Sequence, residues 1–146
     1  MLEDPHALVV PDGTEVITSN QYEETEYERV FIPNTVVEIK FCAFNECKSL
    51  REVVFEEGNE LKAIGEHAFN SCSSLVKINL PEGLKTIENS LFFGCTSLKC
   101  IRLPDGFERI GIECFRGSGL EELVLPASVK EIGAKAFEWC KQLKIV

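Results

Sequence analysis

The chain has 146 residues, 45% of them hydrophobic and 27% charged, which is enough for one folded domain and too apolar for a disordered segment. Its net charge of −9 sets it against phosphate backbones and anionic membrane surfaces, so neither nucleic acid nor lipid is an expected partner. No apolar run approaches the roughly 18 residues needed to span a bilayer, and membrane insertion is not expected.

Residues 1–27 read as a worn copy of the pattern that follows. Leu8, Val10, Pro11 and Ile17 fall at positions that recur later, Tyr22 stands where later copies carry phenylalanine, Thr25 where they carry cysteine, and Tyr27 where they carry leucine. Glu23, Glu24, Glu26 and Glu28 surround them, so this segment is expected to form a degenerate terminal coil whose polar outer side works as a cap.

From residue 28 to 146 the pattern is plain. Phenylalanine recurs at Phe44, Phe69, Phe92, Phe115 and Phe137, at spacings of 25, 23, 23 and 22 residues. Isoleucine precedes each by five residues, at Ile39, Ile64, Ile87, Ile110 and Ile132, and Cys47, Cys72, Cys95, Ser118 and Cys140 follow each by three. Leu50, Leu75, Leu98 and Leu143 follow by six, whereas Leu120 follows by five. Pro33, Pro81, Pro104 and Pro126 stand six residues before an isoleucine; the unit without a proline carries Phe55–Glu60 instead and is two residues longer, as a surface turn can be at small entropic cost.

Within a unit, L-x-x-I-x-L-P predicts a short strand, with Leu75, Ile78 and Leu80 inward and Lys77 and Asn79 outward in one example. Proline and a turn end it, a second inward pair such as Leu84/Ile87 follows, and A-F-x-x-C-x-x-L suggests one turn of helix or 3₁₀ structure. No unit can bury its own apolar edge, so the units must stack, at about 4.8 Å per parallel strand.

The columns resemble the BspA-like, or Treponema pallidum type, leucine-rich repeats, most closely in Leu61–Leu75 (LKAIGEHAFNSCSSL) and Val129–Leu143 (VKEIGAKAFEWCKQL). Glu88 and Lys40 depart from the family's glycine after isoleucine, and Ser118 from its cysteine. The resemblance implies a leucine-rich-repeat solenoid: a right-handed curved stack of about six coils of 22–25 residues, with one short parallel strand per coil and little regular helix. It also implies a non-catalytic protein-binding module used in adhesion or recognition at the cell surface or in secreted form. The N-terminus, MLEDPHALVV, lacks a basic region and a long apolar core, and seven cysteines cannot all pair internally; the alternatives are a cytoplasmic protein or a sequence that begins after a removed signal. The last strand, at Lys144–Val146, is truncated, which leaves an edge for self-association and allows a second reading, a passive spacer within a longer array.

The cysteine ladder, Cys47, Cys72, Cys95 and Cys140, spreads its thiols along a line, whereas a metal site needs ligands that converge; no metal or cofactor is expected. Cys100 should point outward and be the most reactive thiol. His6 and His67 have no nucleophile placed beside them by the pattern, and adjacent acids such as Glu56-Glu57 or Glu121-Glu122 point apart on turns and strands, so no catalytic set can be assembled. The outward strand positions form the candidate protein-binding face: Arg29/Phe31, Glu52/Val54, Lys77/Asn79, Arg102 beside Cys100, and Glu122/Val124. Phe31 and Val54 are expected to be neighbours, and so are Lys77 and Arg102, which together would steer an acidic segment of a protein partner.

Overall fold

The computed structural model describes residues 3–145; Met1, Leu2 and Val146, up to which the sequence reading extends the last strand, lie outside the described residues. The chain winds into a β-solenoid, and each coil brings a strand against the equivalent strand of its neighbours. One ladder is a parallel sheet of β1 (Ala7–Val9), β3 (Arg29–Ile32), β5 (Glu52–Phe55) and β7 (Lys77–Ile78). It resumes after a bridge from Cys100 to Glu122 with β10 (Glu122–Leu123) and β12 (Lys144–Ile145).

A second ladder accompanies the one strand per coil that the sequence suggests. It comprises β2 (Val16–Ile17), β4 (Glu38–Ile39) and β6 (Ala63–Ile64), then β8 (Thr86–Ile87), β9 (Arg109–Ile110) and β11 (Glu131–Ile132). Two residues suffice for such a strand because the isoleucine of each coil packs on the isoleucine of the next. Ile17, Ile39, Ile64, Ile87 and Ile110 are all fully buried or nearly so, and Ile132 of the sixth coil is 46% exposed. The phenylalanine rings stack in a continuous column, with centroids 5.3 to 6.1 Å apart and planes within 2° to 12° of parallel, and Tyr22 extends it at 5.4 Å from Phe44.

The stretch expected to form one turn of helix or 3₁₀ structure keeps i→i−3 bonds but forms a run of turns with no regular helix. Two residues per coil, placed two before and two after the aromatic, have left-handed backbones: Asn20 and Glu24, Cys42 and Glu46, His67 and Ser71, Ser90 and Gly94, Glu113 and Gly117, Lys135 and Trp139. The alternation turns successive N–H groups in different directions. Ala43 and Asn45 donate back within their own coil, to Lys40 and Cys42, while Cys42, Phe44 and Glu46 donate to Glu66, Ala68 and Asn70 of the next. A helix would satisfy all of these groups locally and leave adjacent coils unconnected. Here the bonds between coils offset the roughly 1–2 kcal/mol that a non-glycine residue loses in the left-handed region.

Glycine after isoleucine has a steric cause. A Cβ at Gly65 would lie 2.7 Å from the Phe41 nitrogen, at Gly111 2.6 Å from the Glu88 carbonyl carbon, and at Gly133 2.4 Å from the Ile112 nitrogen. Gly65, Gly111 and Gly133 each donate an N–H to the isoleucine carbonyl of the preceding coil, at 2.7 to 2.9 Å. Glu88 carries a Cβ to the same place in the fourth coil, and there the second ladder is interrupted: among the described residues β8 pairs with β9 and not with β6. The widest step in the phenylalanine column, 6.1 Å between Phe69 and Phe92, falls between the same two coils. Lys40 keeps its bond to Ile17, so a Cβ is tolerated against the first coil.

Candidate protein-binding face and cysteine ladder

Strand pairing fixes the outward columns. Ala7, Arg29, Glu52 and Lys77 are in register, as are Val9, Phe31 and Val54, and further along Glu122 with Lys144. Phe31 and Val54 are thus direct ladder neighbours. Val9 joins them, 68% exposed, beside Phe31 at 36%. Sequence reasoning passed over Val9, although it precedes Pro11 by two residues just as Phe31 precedes Pro33 and Val124 precedes Pro126. At this end of the face Val9, Val10, Phe31, Ile32, Pro33 and Val54, with Asp12 and Glu56, line an open groove of about 300 Å³.

The expected basic spot is corrected by the register and by ion pairing. Lys77 shares its column with Glu52 and lies 4.0 Å from that carboxylate, two residues away from the strand position that Arg102 occupies. Arg102 is bound to Glu82 and lies 3.9 Å from Asp105. Both carboxylates come from the turn after a strand, which an outward-column reading of the strands alone does not bring in. Lys77 and Arg102 thus each stand beside a carboxylate, and both remain exposed on the face. Arg29 is paired with Asp4, Asn79 and Val124 are exposed, and Val124 shares a second depression with Cys100, Arg102 and Glu122.

On the turn side, Arg116 ties three coils together. Its guanidinium lies 4.4 Å from the Trp139 ring centroid and 5.8 Å from that of Phe93, with Glu113 at 2.6 Å and Glu138 at 2.7 Å. Arg116 Nε and Glu138 Oε2 are both buried and form an ion pair at 2.7 Å without the alignment of a hydrogen bond. Its signal in the sequence was faint, because the aromatic and acidic partners come from different repeat columns.

The cysteine ladder lies inside. Cys47, Cys72, Cys95 and Cys140 donate S–H bonds to the carbonyls of Tyr22, Phe44, Phe69 and Phe115 at 2.9 to 3.2 Å, each the aromatic of the preceding coil. Each of those carbonyls also accepts the backbone N–H three residues on, so the thiol supplies a second donor that a leucine in this column could not. Burial pushes the Cys95 thiol up to about 12 and drives Cys114 higher still. In the Cys47–Cys72 pair, contact with the neighbouring sulfur raises Cys72 and pulls Cys47 down to about 7, with Thr25 adding to the effect on Cys47. Among the described residues no group of three or more potential ligands is placed to hold a metal ion.

Residues 15–144 match the family model for the BspA type leucine rich repeat region, in six copies. The chain belongs to the BspA-type leucine-rich repeat family. The crystal structure of a leucine-rich repeat protein of T. pallidum superposes with a TM-score of 0.76 at 38% identity, over 81% of this chain and 57% of that one. A leucine-rich cell surface protein of Faecalibacterium prausnitzii A2-165 gives 0.71 at 28% identity, over 98% of this chain and 48% of that one. The pneumococcal vaccine antigen PcpA gives 0.85 at 25% identity, over 97% and 40%. The chain thus spans between two fifths and three fifths of each of these proteins. No curated protein sequence matches it.

Access and acidity separate the thiols of this repeat array. Cys72 and Cys95 should react with iodoacetamide only on unfolding, Cys100 should react within the native state, and Cys47 should stay slow despite its lowered pKa because it is 1% exposed. Mass spectrometry of partially alkylated native protein reads this directly. Rapid native labelling of Cys72 and Cys95 would mean that the coils do not pack on the ladder as described.

Proposed function

We propose that the chain is a non-catalytic recognition module that binds a protein partner at a cell surface through its strand face. The observation that carries this reading is the outward apolar column of exposed Val9 and Phe31 with half-buried Val54, held on a parallel sheet. A surface already ordered in the free state loses little conformational entropy on binding, and a part-exposed aromatic in a groove is a common interface anchor. The cell-surface placement is supported by the F. prausnitzii protein, described as a cell surface protein, and by the pneumococcal protein, described as a vaccine antigen.

The test compares faces. For a partner recovered by affinity capture, Phe31→Ala should lower affinity at least tenfold, about 1.4 kcal/mol, and Val124→Ala or Arg102→Ala by less. Lys130→Ala and Lys135→Ala, away from the strand face, should leave affinity unchanged. The reverse pattern in surface plasmon resonance would move the contact to the turns and defeat this reading.

A further inference from the structure

The strand face is not uniform, and its ends differ in the chemistry they offer. The groove over the first three coils has a floor of six apolar side chains and two acidic ones, Asp12 and Glu56, and none of its lining residues is basic. Both acids follow the end of a strand, so they stand on the same side of the groove, one on the first coil and one on the third. Glu56 accepts the Asn34 N–H at 2.8 Å through one oxygen, which fixes its carboxylate at the rim, and Asp12 is exposed. The depression next along, over coils two to four, is lined instead by Arg29, Arg51 and Lys77 with Glu28, Glu52 and Val76.

We propose that the first groove receives an apolar side chain of an extended polypeptide that carries a lysine or arginine two residues away. The proposal rests on the strand-face reading above and gives the partner its chemistry. Val9, Phe31 and Val54 lie on successive strands, so the groove crosses the coils over about 10 Å, the length of roughly three residues of extended chain. In an extended segment side chains two apart point the same way, so an anchor over Phe31 puts its second neighbour over an adjacent coil, where a long basic side chain can extend to that coil's rim carboxylate, Asp12 or Glu56. Carboxylates beside an apolar floor act through a lower dielectric than bulk water, and the net charge of −9 favours the approach of a cationic segment from a distance. Lys77 and Arg102, each already beside a carboxylate, offer an acidic segment less than their charge suggests.

Two synthetic peptides test this against the ¹⁵N-labelled chain: Ac-Leu-Gly-Arg-NH₂ and Ac-Leu-Gly-Glu-NH₂, titrated by ¹⁵N–¹H NMR. The arginine peptide should shift the amides of Val9, Phe31, Val54 and their neighbours, with a midpoint at least tenfold below that of the glutamate peptide. Phe31→Ala should abolish those shifts. The pair Asp12→Asn and Glu56→Gln should bring the two midpoints within twofold, while the amide oxygen introduced by the second substitution still accepts the Asn34 N–H. Salt raised from 50 to 500 mM should weaken the arginine peptide and not the glutamate one. Equal midpoints for the two peptides overturn the charge assignment, as does a glutamate peptide that instead shifts Arg51 and Lys77; either result leaves the strand-face reading standing. Shifts confined to the turn side, or none with either peptide, overturn both.

Discussion

Phe92→Ala should destabilise the protein by about 3–5 kcal/mol, seen as a lower urea midpoint at unchanged slope. The Phe92 ring has no exposed surface and lies between Phe69, at 6.1 Å, and Phe115, at 5.5 Å, so removing it opens a cavity shared by three coils. Because each coil contacts only its neighbours, the loss cannot be spread over a larger core. Phe93, next in sequence, is half-buried on the other side of the backbone with the Arg116 guanidinium 5.8 Å from its ring. Phe93→Ala should cost less than about 1.5 kcal/mol, the upper range of one aromatic or cation–π contact. A neutral Phe92→Ala beside a strongly destabilising Phe93→Ala would place the phenylalanine column one residue away from where it is described.

The phenylalanine, isoleucine and cysteine columns were legible in the sequence because each residue packs on its own counterpart one coil away. That requirement writes the period directly into the chain. The left-handed pairs were not legible. Only Gly94 and Gly117 among them are glycine; the other ten are Asn, Glu, Cys, His, Ser, Lys and Trp. Local propensity disfavours that backbone for most of these residues, and the bonds that compensate run to the neighbouring coil, where no local pattern reveals them. The second ladder was missed for a related reason, since a two-residue strand such as Thr86–Ile87 has no alternation to detect. On the candidate face, Arg29, Phe31, Lys77 and Glu122 stand exposed on the strands and Glu52 and Val54 half-buried among them. The charge pairing of that face was not legible, because the carboxylates beside Arg102 come from turns and not from the strand columns.

Gly119→Ala should destabilise by about 3 kcal/mol, at the upper end of what overpacking commonly costs. The fifth repeat is one residue short, with Leu120 five residues after Phe115 where the other four phenylalanine units have six, yet Leu120 is fully buried in the same column. The chain recovers the missing length by running its backbone against the coil before it, where the Gly119 N–H donates to the Cys95 carbonyl at 3.1 Å. A Cβ at Gly119 would lie 2.1 Å from the Thr96 carbonyl oxygen and 2.9 Å from its carbon. The obstacle is backbone, not the end of a flexible side chain, so the two coils must separate and give up that hydrogen bond together with part of the Leu120 packing. The backbone of Gly119 is not left-handed, so the penalty is steric, and alanine at an open glycine provides the control. Gly83 has nothing within 4 Å of its would-be Cβ and no left-handed backbone, so Gly83→Ala should be neutral or stabilise by about 0.4–1 kcal/mol through the unfolded chain. Paired urea titrations separate the two effects. If Gly119→Ala unfolds at the wild-type midpoint, the fifth coil does not take up its deletion by close approach to the fourth, and Leu120 must reach the core by another path.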